Sequence, residues 1–241
     1  TKESQREISV QAANNAIESA RGISYPNALN LPIDESKIPH FVKPYIELTQ
    51  KMAFLLAQLS KSEIRSINIT AEGEISEYLD SLQTFATVGV LAVSCGDEVN
   101  YVNANFIAKE KGIDLTTSEF SNHSGYQNKV SINITTPTGV KTISGTVFNE
   151  DVQRIVEING FPLDIEPKGK MIIMRNHDVP GVIGEVGKIL GNNNINIADF
   201  RLSRGKDGAL AVILIDEKAC SDVLKKLDSL EAAIAVAYAE I

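Results

Sequence analysis

The spacing of apolar residues predicts a helix at the start of the chain. Within residues 1–21, Ile8, Ala12, Ala16 (or Ile17) and Ala20 fall near every fourth position and form a narrow apolar stripe. Gly22 follows this stretch, and glycine is common just past the end of a helix. A helix with one narrow stripe needs another surface to pack on, so we expect its partner to lie outside this segment.

The middle of the chain, residues 33–166, mixes helical and alternating patterns. Pro26 and Pro32 precede it and favour an extended segment, which separates residues 1–32 as a terminal helix and segment. Asn159-Gly160 is a strong hairpin signal. Helices followed by a run of strands predict a compact α+β domain. The predicted helices are 38–60, 75–91 and 102–111, and the predicted strands are 64–70, 115–120, 130–135, 141–148 and 154–158.

Residues 170–241 change to a β-α-β-β-α-β pattern, which is the ferredoxin-like order. The short linker Pro167–Gly169 precedes them, and we predict hinges there and at Pro32–Pro39. The fold class of the whole chain is therefore α+β. The predicted strands are 171–175, 195–203, 209–215 and 234–238, and the predicted helices are 181–193 and 221–230.

The second strand of this pattern changes phase. Ile195 and Ile197 are apolar at odd positions, whereas Phe200 and Leu202 are apolar at even positions. Because successive strand residues point to opposite faces, the change predicts a β-bulge near 198–199. The alternative is a strand buried on both faces, one of them against a second copy of the chain.

Composition excludes several classes of protein. The chain has 241 residues, a net charge of −8 and a pI of about 5.0, which is unfavourable for binding nucleic acid. Cys95 and Cys220 are far apart, which fits a reducing cytoplasm better than a disulfide framework. The sequence shows neither a signal peptide nor an uninterrupted apolar run of membrane-spanning length, so we predict a cytoplasmic protein without a membrane partner. Since the chain begins at Thr1 and already in helical phase, we expect a segment of a longer protein.

Polar residues gather where the first and second strands of the last third meet their turns. Pro180 suits the first turn of a helix, and Gly181 leaves the helix start bare, so backbone N–H groups could bind an amino-acid carboxylate. Asp178 or the side-chain oxygen of Asn196 could accept hydrogen bonds from its ammonium group. Asn176 should face the same side as Asp178.

A simpler interpretation is that Asp178 caps the helix and that Asn176 and Asn196 are ordinary turn residues. The residues alone favour this interpretation, because such caps are common.

Other candidate sites are weaker. Lys129, Lys141 and Arg154 could converge across adjacent strands as an anion site, although a solvated strand face is the favoured interpretation. The three histidines lack metal-ligand spacing, so we predict no metal. The glycines of 181–187 have the spacing GxxGxxG rather than that of a dinucleotide fingerprint, so this segment is not assigned to a nucleotide. We also expect no catalytic residues.

The last third resembles an ACT domain, a small-molecule sensor of amino-acid biosynthetic enzymes. The likeness extends from Met171 to Tyr238 and includes Asp178-Val-Pro-Gly-Val-Ile-Gly184, Ile195-Asn-Ile-Ala198 and Arg204. Upstream segments resemble the intervening, or allosteric substrate-binding, domain of long-form D-3-phosphoglycerate dehydrogenases. These segments are Tyr101–Gly112, Ser144-Gly-Thr-Val-Phe148 and Arg154–Gly160.

This resemblance implies the regulatory half of an NAD-dependent oxidoreductase of serine biosynthesis, with the nucleotide-binding and catalytic parts upstream. It implies that L-serine binds between two self-associating ACT domains, and that the intervening domain binds an anionic ligand. The fragment itself would bind no NAD. The alternatives are a dimerisation module without ligand and the regulatory part of an L-serine dehydratase. The implied serine contacts are Asn176, Asp178, Pro180, Gly181, Asn196 and Ile197.

Overall fold

The computed structural model describes residues 2–20, 38–60, 62–119 and 125–241. The predicted helix stop at Gly22, the extended segment after it and most of the Pro32–Pro39 hinge lie outside these residues, as does His123. The predicted first helix is confirmed as α1 (Lys2–Ala20). Its apolar residues Ile8 and Ile17 are 66% and 48% exposed. This exposure is what we expect if the apolar stripe packs on a surface outside the segment.

The middle domain is a six-stranded sheet with two long helices on one face. The helices are α2 (Val42–Gln58), α3 (Leu79–Cys95) and α4 (Ala104–Glu110). The strands are β1 (Ser66–Glu72), β2 (Asp114–Glu119), β3 (Lys129–Thr136), β4 (Gly139–Phe148), β5 (Val152–Ile158) and β6 (Phe161–Ile165). They lie in the order β2-β1-β3-β4-β5-β6, where β1 and β2 are parallel and the other pairs are antiparallel. A 3-10 turn, Glu74–Tyr78, precedes α3, where the sequence predicted one continuous α-helix.

The stretch Glu74–Glu98, which contains α3, is the one described helical stretch with the length and apolar character of a membrane span. Half of its apolar window is buried inside the protein. Leu82 and Ala86 are fully buried in the core of the middle domain. The apolar character of this helix is therefore used in packing against α2 and the sheet.

Strand β6 was not predicted, although the turn before it was. Asn159 and Gly160 both have positive φ, 50° and 79°, as the two central residues of a hairpin turn require. Phe161, Leu163 and Ile165 alternate with Pro162 and Asp164, but a proline within so short a run argues against a strand when only the sequence is known. Proline is tolerated here because β6 lies at the edge of the sheet, where one row of N–H groups has no partner strand.

The C-terminal domain has the predicted ferredoxin-like βαββαβ fold. The elements are β7 (Lys170–Asn176), α5 (Val182–Asn192), β8 (Ile197–Gly205), β9 (Gly208–Ile215), α6 (Ser221–Asp228) and β10 (Ala233–Glu240). The antiparallel sheet has the order β10-β7-β9-β8, and one face is covered by the two helices. The predicted bulge is confirmed: the pairing of β8 with β9 shifts between Ile197 and Asp199.

The second face of this sheet packs on the middle domain. Met171 and Val212 belong to the same buried apolar cluster as Phe161. The side chain of Gln58 also pairs with the backbone of Glu240, donating to its carbonyl at 3.0 Å and accepting from its N–H at 3.1 Å. Gly169 exchanges two backbone hydrogen bonds with Ile241. This packing argues against the hinge predicted at Pro167–Gly169.

Candidate binding site of the C-terminal domain

A cavity of about 450 Å³ lies between the start of α5 and the sheet. Its inner wall is apolar and its mouth is polar, an arrangement typical of sites for small molecules. Met174, Phe200, Leu202 and Ala211 line the wall, and Asn176, Asp178, Gly181, Gly184 and Arg204 line the mouth.

Asn176 ends β7 and presents an acceptor without a partner. The residue is 3% exposed, and its Nδ2 donates to the carbonyl of His177 at 2.7 Å. Its Oδ1 is buried and accepts no hydrogen bond. Because an unpaired buried acceptor is costly, this atom is suited to a donor group of a ligand. His177 itself is exposed, as predicted.

The start of α5 has no side-chain cap. Gly181 occupies the N-cap position with a φ of 98°, and helix α5 begins at Val182. The capping interpretation of Asp178 is therefore wrong. Pro180 lies in the turn before the N-cap rather than in the first turn of the helix. Val182 and Gly184 line the cavity, so the start of the helix can offer N–H groups to an anion there.

Asp178 pairs with Arg204 across the mouth of the cavity, where Oδ2 lies 3.2 Å from Nε. Arg204 was noted as part of the family pattern and not as a site residue. Strand register explains its position, because Asn176 pairs with Ala209 and Ala209 pairs with Arg204. A sequence reader who aligned the three strands through the Gly205–Gly208 turn could have placed it there.

Asn196 and Ile197 lie at the other end of the sheet. Ile197 pairs with Ile215, which pairs with Lys170, whereas Asn176 is six residues further along β7. At ~3.3 Å per residue, Asn196 is about 20 Å from Asn176 within one chain. The amide of Asn196 donates to Asp216 Oδ2 at 2.6 Å, and its backbone N–H donates to Glu217 Oε2 at 2.7 Å. One copy therefore does not bring all six predicted residues together.

The predicted convergence of Lys129, Lys141 and Arg154 is wrong. Lys141 donates to the carbonyl of Leu59 on the helix side of the sheet. Arg154 lies near β6 and pairs with Asp164 at 3.2 Å and with Glu166 at 3.3 Å.

Lys129 lies on the open face of the sheet, in a cavity of about 300 Å³, with its Nζ 4.0 Å from Glu157 Oε2. The three side chains therefore occupy separate places because strand alternation and the bulge between Ser144 and Gly145 direct them apart.

Other chemistry is sparse in the described part of the chain. Within residues 2–20, 38–60, 62–119 and 125–241, no group of three or more His, Cys, Asp or Glu side chains is arranged to hold a metal. Cys95 and Cys220 are free thiols. Lys168 holds the pKa of Glu166 below its ordinary value by hydrogen bonding, and Arg154 acts in the same direction.

Two family models match the chain. The D-3-phosphoglycerate dehydrogenase intervening domain matches residues 41–159, and the ACT domain matches residues 170–232. The first covers most of the middle domain and the second covers the cavity described above.

Curated relatives match over most of the chain. D-3-phosphoglycerate dehydrogenase of Bacillus subtilis is 35% identical over 216 residues, which is 89% of this chain and 41% of the relative. The enzyme of that name from Archaeoglobus fulgidus is 29% identical and matches 100% of this chain and 46% of its own length. The one from Synechocystis sp. is 27% identical over 94% of this chain and 42% of its own length. The chain thus spans less than half the length of these relatives.

Proposed function

Because the chain belongs to the C-terminal regulatory part of D-3-phosphoglycerate dehydrogenases, we propose that it senses L-serine and inhibits a dehydrogenase to which it is joined. The observation that carries this proposal is the buried, unpartnered Oδ1 of Asn176 at the mouth of the cavity. An ammonium group would supply its missing donor. The uncapped start of α5 would receive the carboxylate of the same molecule.

The effector site is shared between two copies of the chain. Strand β8 forms an edge of the sheet, and its outer backbone groups can pair with another strand. In an antiparallel pair of β8 strands related by a two-fold axis near Phe200 and Arg201, Asn196 of a second copy comes opposite Gly205. This pairing brings Asn196 of the second copy to the end of the sheet where Asn176 and Asp178 lie, and it accounts for their separation in one chain.

The longer protein is proposed to be a cytoplasmic, NAD-dependent D-3-phosphoglycerate dehydrogenase of serine biosynthesis. The present chain would bind no NAD and would be inactive alone. Serine would act by binding one arrangement of the subunits better than another, with a coupling of about 1–3 kcal/mol. The match to the intervening domain supports this assignment over a serine dehydratase.

Calorimetric titration with L-serine tests the site. We expect Asp178→Ala and Asn196→Ala each to lower the affinity by about ten-fold or more, because each removes a hydrogen bond to a charged group. Asp222→Ala is the matched control, since Asp222 is an exposed carboxylate on α6 that pairs only with Lys225 in the described contacts. Undiminished binding by both site variants would defeat the assignment. A self-associating wild-type protein that binds no serine would instead indicate a dimerisation module.

Mixing the two variants tests whether the site is shared. A mixed dimer of Asp178→Ala and Asn196→Ala contains one site with both residues intact and one site lacking both. Equimolar mixing should therefore restore high-affinity binding to about a quarter of the sites, if chains pair at random. If all contacts came from one chain, mixing would restore none.

A further inference from the structure

The ion pair across the mouth of the cavity leaves both side chains with hydrogen-bonding atoms that the pair itself does not use. Arg204 has a side-chain exposure of 73%, Asp178 has one of 39%, and a single contact of 3.2 Å joins Nε to Oδ2. Such exposed pairs contribute little to stability. Replacing this ion pair by contacts with a ligand therefore costs little free energy.

An amino acid carries an ammonium group that can pair with Asp178 and a carboxylate that can pair with Arg204. Its ammonium can take the place of Arg204 beside Asp178 and also donate to Oδ1 of Asn176. Its carboxylate can then accept from the guanidinium, whose planar set of donors matches a carboxylate with two parallel hydrogen bonds. The exchange replaces one ion pair by two and leaves the charge of the site balanced.

We propose that Arg204 is the carboxylate-binding residue of the effector site and selects ligands that carry both an ammonium and a carboxylate. This inference rests on the proposed amino-acid sensing. The sequence alone assigned binding of the carboxylate to the N-terminus of α5. Here Arg204 binds the carboxylate, and the N-terminus of α5 is a second donor to it. It also predicts that amines without a carboxylate bind poorly even though they satisfy Asp178 and Asn176.

The test compares two ligands and three proteins by calorimetry. L-Serine and L-serinamide differ at the carboxylate, and both are titrated at a pH where their amines are protonated into wild type, Arg204→Met and Arg204→Lys. We expect wild type to prefer L-serine by about ten-fold or more, as the loss of a charged hydrogen bond implies. Arg204→Met should lose that preference by losing affinity for L-serine alone, and Arg204→Lys should keep part of it.

Lys225→Met is the control, because Lys225 belongs to an exposed pair with Asp222 on α6. Circular dichroism and size measurement verify that each variant is folded and associated. If Arg204→Met is not folded, the ligand preferences of Arg204→Lys and of wild type decide the test. Unchanged affinity and unchanged ligand preference in Arg204→Met would overturn the role of Arg204 and leave serine sensing intact. Absence of L-serine binding to wild type would overturn both.

Discussion

At the scale of single residues, Gly208 holds the backbone of the site in place. Its φ is 112°, and a Cβ at this position would lie 2.5 Å from the carbonyl oxygen of Asn176. A side chain here must therefore move the end of β7, where the unpartnered amide oxygen of Asn176 is positioned. Glycine thus serves both the turn between β8 and β9 and the geometry of the cavity mouth.

Gly208→Ala should destabilise the protein by about 1–3 kcal/mol, because it combines a strained φ with a backbone clash. Chemical denaturation measures the loss, and serine titration should show weaker binding. Gly187→Ala is the control, since Gly187 lies inside α5 with open space around it and should be neutral or stabilising by up to ~1 kcal/mol. Equal stability of the two variants would contradict the argument.

Tyr238 gives the C-terminal domain a dependence on alkaline pH. Burial raises the pKa of its hydroxyl to about 12, aided by the hydrogen bond to Glu240. The folded protein therefore retains this proton to higher pH than the unfolded chain, so stability falls as pH rises from ~10 to about 12. Tyr238→Phe should show a shallower fall in melting temperature across that interval. An unchanged slope would exclude this residue as the cause.

At the scale of elements, the bulge in β8 allows four apolar residues to pack into the same core, on the face of the sheet that the helices cover. Ile195 is buried, and Ile197, Phe200 and Leu202 pack against the same cluster despite their change of phase. The extra residue, Ala198, is exposed. The change of phase in the sequence is thus accommodated on one face of the sheet by the irregular pairing between Ile197 and Asp199.

Deletion of Ala198 should restore regular alternation and turn one pair of these apolar residues away from the core. We expect a loss of about 2–4 kcal/mol, the cost of exposing one or two large apolar side chains. Denaturant unfolding measures it, with Ala198→Ser as the control that keeps the residue count. A deletion variant as stable as that control would mean that the bulge is dispensable.

Periodicity predicted most elements because both domains bury one face of a sheet under helices. It failed at β6, a run of only five residues in which Pro162 argues against a strand. It also failed at Lys129, Lys141 and Arg154, because adjacency in a sheet does not tell which face each residue occupies. Asn176 at the end of β7, and Asp178, Pro180 and Gly181 before α5, were predicted as binding residues, and all four line the cavity. Arg204 was not assigned to the site, because its place depends on the register of three strands.

At the scale of the whole molecule, a side-chain stack connects the candidate site to the middle domain. Arg175 is next to Asn176, and its guanidinium lies 5.6 Å from the centre of the Phe161 ring. The same ring is packed so closely against Gly205 that a Cβ there would come within 2.8 Å of it. Both strand ends at the mouth of the cavity therefore contact a residue of β6. We therefore expect a shift at the site to reach the middle domain through packing, since the two domains share one apolar cluster.

Phe161→Ala should loosen this link. Phe161 is 6% exposed, so truncation should cost about 3–5 kcal/mol, and unfolding of the two domains should separate into two transitions in calorimetry. Phe106→Ala is the control, because Phe106 is 64% exposed and its truncation should leave a single transition. In the longer protein, the variant should bind serine while its inhibition by serine weakens. A single transition with unaltered inhibition would show that the domains communicate by another route.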